Sequence, residues 1–192
     1  MIRWAGLLLL PLFTLSAAAD ERWDLVPERS AVSFVTLKNA EIAEASRFRD
    51  LAGYVDADGR AEIRIKLASV DTKIGIRDER MRKYLFEVDE HPVATIRAEI
   101  DAQTLADLPV GERITLTIPV RVAAHGQDAA YDTELAVTRV GEDLATVTSV
   151  EPVIVYAEDF DYAPGLGRLR EIAGLDSIQF AVPISFDLTF RR

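Results

Sequence analysis

The sequence predicts an all-β protein, an antiparallel sandwich or closed barrel carrying one short helical insertion. Three observations lead there. Several segments alternate apolar and polar residues with a period of two, turn signals separate those segments, and residues 71–88 abandon the alternation.

The elements follow in chain order. Residues 32–37 form a strand of modest alternation, and Gly53-Tyr54-Val55 adds a short one. Asp56-Ala57-Asp58-Gly59 reads as a hairpin turn before the cleanest strand, residues 61–67, where Ala61, Ile63, Ile65 and Leu67 alternate with Glu62, Arg64 and Lys66. In the insertion, Met81 and Leu85 among charged neighbours fit a short helix, and Asp78 near its start suits the helix dipole. Residues 96–100 and 114–118 are strands, as are 133–140, 145–150 and 152–157, with Gly141-Glu142-Asp143 a further turn. Residues 169–173, stopped by Gly174, read as a single helical turn. The last run is the longest: Ile178, Phe180, Val182, Ile184, Phe186, Leu188 and Phe190 alternate with more polar partners, which places all seven on one inward face. Such a run exceeds the usual strand of about 5–6 residues, so it is expected to bend, with Pro183 at an edge or bulge.

The chain opens with Arg3, an apolar run over residues 5–15 and small residues ending at Ala17-x-Ala19, the pattern of a secretory signal peptide cleaved after Ala19. The run is shorter than the ~20 residues of a spanning helix, and Pro11 interrupts it. The expected organisation is therefore a signal peptide over residues 1–19 and one domain over residues 20–192, exported to the periplasm.

Composition removes much of chemistry. Against 22 Lys+Arg stand 32 Asp+Glu, a net charge of −10, which disfavours a nucleic-acid partner. With no Cys there are no disulfides, thiolate metal sites or Cys nucleophiles. The two histidines, His91 before Pro92 and His125 beside Gly126, have no spacing that brings them together, so each reads as an exposed loop residue and no metal is expected. Asp159 and Asp161 flank Phe160, with Tyr162 next; paired carboxylates can carry acid–base hydrolysis, but with one intervening residue they read better as solvated charges. No G-x-S-x-G or S-x-x-K places a catalytic serine. No catalytic residue and no cofactor is predicted. Arg77, Arg80, Arg82 and Lys83 alternate with acids and read as a solvated helix face.

Several motifs resemble the YceI family of periplasmic lipid-binding proteins, over residues 23–190. Trp23-Asp24-Leu25-Val26-Pro27-Glu28-Arg29-Ser30-Ala31-Val32-Ser33-Phe34 is similar to its opening strand, and Arg47-Phe48 with Leu51-Ala52-Gly53 to its hairpin. The most specific stretch is Ser69-Val70-Asp71-Thr72, Arg77-Asp78-Glu79-Arg80-Met81-Arg82, Leu85-Phe86 and His91-Pro92. Asp159-Phe160, residues 169–175 and Val182-Pro183-Ile184-Ser185-Phe186 complete it. The chain departs from the family in having Leu37-Lys38 and Arg80 where many members carry histidines, and Leu85 for an aromatic.

The resemblance implies an extended, lipocalin-like antiparallel barrel of about eight strands around an apolar tunnel that holds an isoprenoid-type lipid, a polyprenol or a quinone. The lining it implies is Phe34, Phe48, Ile63, Ile65, Phe86, Ile96, Phe160, Phe180, Val182, Ile184 and Phe186. Arg77 is the head-group candidate, since its fork suits phosphate or carbonyl acceptors; the competing reading is a structural ion pair tying the insertion to the barrel. Burying one isoprene unit gains roughly 4 kcal/mol, and three units roughly 12 kcal/mol, before association costs. The function expected is a non-enzymatic carrier that meets an inner-membrane protein transiently, with the oligomeric state open and a homodimer included. The rivals are a lipid hydrolase or isomerase using Asp159, Asp161 and Tyr162, and a solid barrel that binds a stress-related partner.

Overall fold

The computed structural model describes residues 22–192; the expected signal peptide and its cleavage site lie outside the described residues. The strands are β1 (Trp23–Leu25), β2 (Ala31–Lys38), β3 (Ile42–Phe48), β4 (Leu51–Val55), β5 (Arg60–Lys66), β6 (Val70–Asp71), β7 (Val93–Glu99), β8 (Arg113–Ala124), β9 (Gln127–Arg139), β10 (Leu144–Ser149), β11 (Val153–Tyr156) and β12 (Ala181–Arg191). The helices are α1 (Gly75–Tyr84), α2 (Ala102–Ala106) and α3 (Ala163–Ala173). Antiparallel pairing runs β1-β4-β5-β7-β8-β9-β10-β12 and returns to β1, closing an eight-strand barrel. Closure leaves no free edge around this ring.

The barrel is extended because several wall strands are broken and continue beyond the ring. On β12, Asp187–Arg191 pair with β10 while Ala181–Ile184 pair with β11. On its other side, Arg191 and Phe190 pair with β1, and Ile184 to Asp187 pair with β2. One long strand thus joins both halves of the wall. The breaks fall where the sequence places prolines: Pro27 opens the short 3₁₀ turn between β1 and β2, and Pro152 lies between β10 and β11. Pro183 is paired with Ile154 of β11, but the β2 ladder begins only at Ile184, so the missing N–H falls at the end of that ladder.

The alternating C-terminal run corrects one expectation. It is not a single strand from Ile178 onward. Ile178 makes an isolated bridge to Lys38, a bend follows, and β12 starts at Ala181. Through the bend the Gln179 N–H donates to the Leu37 carbonyl and the Ala157 N–H to the Phe180 carbonyl. The inward parity slips there: Gln179 turns to the interior, and Phe180 is 37% exposed and outside it. A period of two predicts a face only while the strand is unbroken.

Other differences concern extent. β8 and β9 form a hairpin far longer than the alternation at residues 114–118 suggests, joined by His125 and Gly126 at φ 52° and 77°. Both central residues are left-handed, the geometry that matches strand twist in a two-residue hairpin. β3 carries little alternation and was not predicted as a full strand, nor was α2, which Asp101 caps through the Thr104 N–H at 2.8 Å. α3 is a full helix rather than a single turn; it begins Ala163-Pro164-Gly165-Leu166-Gly167, a segment with poor intrinsic propensity held by tertiary contact. α1 and α3 pack on each other so closely that a Cβ on Gly165 would lie 2.3 Å from the Tyr84 carbonyl oxygen.

Candidate apolar binding cavity

The interior is open. A cavity of about 430 Å³ runs through the barrel, lined almost wholly by aliphatic and aromatic side chains. That lies within the roughly 300–1,000 Å³ of small-molecule sites. Phe34, Phe48, Ile63, Ile65, Phe86, Ile96, Phe160, Val182, Ile184 and Phe186 all line it; of the predicted lining only Phe180 does not. Phe34, Phe48 and Phe86 form a chain of tilted rings with centroids 5.4 and 5.7 Å apart. Phe160 is the most deeply buried of the large side chains.

The lining is graded along the axis. The even positions of β2 face inward in the order Val32, Phe34, Thr36, Lys38, from apolar to charged. On the paired β12 the inward positions run Phe190, Leu188, Phe186, Ile184, Val182 in the same direction. Along these two strands one end of the cavity is therefore lined by hydrocarbon side chains. At the other end, β2 brings Lys38, the loop between β6 and α1 brings Thr72, and α1 brings Arg77 and Arg80, with Gln179 from the bend. The β2 gradient is legible from period-two reading alone, whereas Gln179 depends on the parity slip.

The polar end is built around Glu44 on β3, which forms ion pairs with both Lys38 and Arg77. The Lys38 hydrogen bond, aided by the Arg77 charge, holds the Glu44 carboxyl below the usual glutamate range. The Glu44 contact, which links α1 to β3, is the structural ion pair expected for Arg77, and its Nη2 also donates to the Thr72 carbonyl at 2.7 Å. Arg77 Nε is buried and has no partner among the described residues. The fork has five N–H donors, of which the Glu44 and Thr72 contacts use two. Asp78 stays inside the insertion: its Oδ1 accepts from the Thr72 N–H at 2.8 Å and hydroxyl at 2.5 Å. Arg82 Nε donates to the Ala68 carbonyl at 2.7 Å, so Arg82 is not simply a solvated charge.

The acid–base candidates do not converge. Asp159 and Asp161 are exposed, and each carboxylate is engaged at the surface, by the Tyr131 hydroxyl at 2.7 Å and by the Gln127 amide at 2.6 Å. Tyr162 turns the other way, into the cavity wall, where its ring meets Phe86 edge-on at 5.7 Å. Its hydroxyl is buried without a partner among the described residues, and burial pushes its pKa up. The phenol is thus an unpaired polar group within the apolar cavity wall. Sequence reading placed this tyrosine with the carboxylates and missed that role.

The histidine reading is corrected too. His91 and His125 lie together, ring centroids 4.4 Å apart, with Glu87 beside them. Sequence spacing gave no sign of this, because the β8–β9 hairpin turn delivers His125 to the loop between α1 and β7.

Comparison with known proteins agrees with this architecture. A polyisoprenoid-binding domain from Saccharophagus degradans, implicated in plant cell wall breakdown, superposes with a TM-score of 0.86 at 33% identity, covering 88% of this chain and 97% of that one. BcnA of Burkholderia cenocepacia superposes with a TM-score of 0.66 at 18% identity, covering 86% and 99%, which is a likeness of fold. No curated protein matches the chain. A family model described as a YceI-like domain matches residues 23–190. With strand order, open interior and helical insertion all in place, the chain belongs to the YceI-like domain family.

Proposed function

We propose that this chain is a non-enzymatic periplasmic binding protein that holds an isoprenoid-type lipid, a polyprenol or quinone, tail-first in the barrel. The observation that carries the reading is the graded cavity, hydrocarbon along β2 and β12 at one end and lined at the other by Lys38 and Arg77, both of which pair with Glu44. The similar protein from Saccharophagus degradans is described as polyisoprenoid binding, and it covers most of this chain at 33% identity.

The energetics favour a chain of several units. Association costs roughly 4–15 kcal/mol, and each buried isoprene returns roughly 4 kcal/mol, so about three units are needed before burial alone holds the ligand. Contacts to the Lys38, Arg77 and Arg80 side chains at the polar end then fix orientation. The leader over residues 1–19 supports export. Ile42, Ile74 and Ile76 lie exposed beside the polar end and offer the surface on which an inner-membrane donor or acceptor would exchange the lipid.

Ile184 tests the reading. It lines the cavity on β12, paired with Phe34 and Val153. Ile184→Trp is expected to displace the lipid while the fold survives, because the added volume enters ligand space. Lipid retained at the wild-type level, together with a large fall in denaturation midpoint, would mean a filled interior and would end the carrier reading.

A further inference from the structure

The loop between α1 and β7 and the β8–β9 turn meet in a cluster that the lipid reading does not use. The His91 N–H donates to the Glu87 carbonyl at 2.9 Å, closing one helical turn that puts both side chains on the same side. The β8–β9 hairpin then presents His125 to them. One ligand atom from each of Glu87, His91 and His125 lies within 4.8 Å of the others.

The hydrogen bonds orient the imidazole. His125 Nδ1 is 3.0 Å from the Phe160 carbonyl oxygen. A carbonyl only accepts, so Nδ1 carries the proton, and in the neutral ring Nε2 presents its lone pair. That lone pair faces the Glu87 carboxylate at 3.1 Å. The pair is satisfied either by a proton on Nε2, which makes it an ion pair, or by a metal ion held between the two groups. A backbone carbonyl fixing the far nitrogen of a ligating histidine is the usual outer-shell arrangement of metal sites.

We propose that Glu87, His91 and His125 form a binding site for a divalent transition-metal ion of the Zn²⁺ or Cu²⁺ class. Two imidazoles and one carboxylate are the donor set these ions take, with the fourth position left to water. Ca²⁺ and Mg²⁺, which prefer oxygen shells, suit it poorly. The site stands on the outer side of the cavity wall: the Tyr162 ring is 5.0 Å from that of His125 and also lines the cavity. A bound ion would clip the loop after α1 to the β8–β9 turn, a contact spanning distant parts of the chain.

The test uses tag-free, EDTA-treated mature protein titrated with Zn²⁺ alone and then with Cu²⁺ alone. One equivalent is expected to bind, with the melting temperature rising about 5–10 °C at a hundredfold excess over Kd. His91→Ala and His125→Asn, the latter chosen because asparagine accepts left-handed φ, should each lower affinity at least about tenfold, and Glu87→Gln should weaken it. The chain has only two histidines, so imidazole NMR of the wild-type protein gives a readout independent of any variant's folding. Both ring systems must shift together at one equivalent of Zn²⁺. Stoichiometry near zero, a shift of only one ring, or binding undiminished in all three variants overturns the assignment.

Discussion

Gly165 and Gly167 sit on the same face-to-face helix pair two residues apart, yet alanine should have opposite effects at them. Within a helix, Gly→Ala gains about 0.8–1 kcal/mol from reduced backbone freedom alone. At Gly167 nothing lies within 4 Å of the added methyl, so that gain should appear in full. At Gly165 the methyl would stand 2.3 Å from the Tyr84 carbonyl oxygen and 2.9 Å from Leu85 Cα. Both are backbone atoms that cannot swing aside, so α3 must lift away from α1. Overpacking of this kind costs about 1–3 kcal/mol, which cancels or exceeds the helix gain. Gly165→Ala is therefore expected to be about 1–3 kcal/mol less stable than Gly167→Ala, at about 2–4 °C in Tm per kcal/mol for a chain of this size. Because α3 supplies Leu166 and Leu169 to the cavity wall, the lifted helix should also shorten lipid retention. Denaturant and thermal unfolding of the two variants side by side is the assay. Equal stabilisation at both positions would refute the close packing of α1 on α3.

Asp78→Ala removes the acceptor for the buried Thr72 N–H and hydroxyl, and is expected to cost about 1–3 kcal/mol in denaturant unfolding, with Asp78→Asn losing less; a cost within error of zero would show that α1 is anchored elsewhere. Glu44 gives the pH dependence. Its folded pKa lies below the ordinary 4.5, so its stabilising effect is complete above that value and is lost as pH falls through the folded pKa. Glu44→Gln should therefore lose less stability than wild type between neutral pH and about pH 3. Asp71, held low by the Lys73 N–H and by Arg49 and Arg47, and Asp101, held low by Thr104, leave a residual slope in the variant. Parallel pH profiles would contradict the Lys38–Glu44–Arg77 cluster.

How much of this was legible depended on how local each signal was. Ile63 and Ile65 lie in an unbroken strand, and their inward face follows from alternation alone. Phe180 has the same pattern in the sequence but lies in a bend, and the hydrogen bonds to Leu37 and Ala157 that fix the bend come from distant segments. Strand β3 was hidden because Glu44, Arg47 and Ser46 break the apolar pattern, two of them serving ion pairs that only the fold creates. The Arg77 ion pair was foreseen in kind; its partner on β3 was not. His91 and His125 met through a hairpin turn, and Tyr162 separated from Asp161 by one residue's change of direction at a left-handed φ of 55°. Composition and periodicity reach the wall of the barrel; what stands on either side of a turn is decided by tertiary geometry.

Whether the barrel is a container is decided by the lipid content of protein purified from periplasmic extract without detergent, read by mass spectrometry of the organic extract from wild type and Ile184→Trp in parallel. A container should yield a prenyl-type lipid near one per chain in wild type and a much lower ratio in the folded variant. An empty wild-type protein that takes up no added polyprenol or quinone, or a variant that carries the same load, would contradict it.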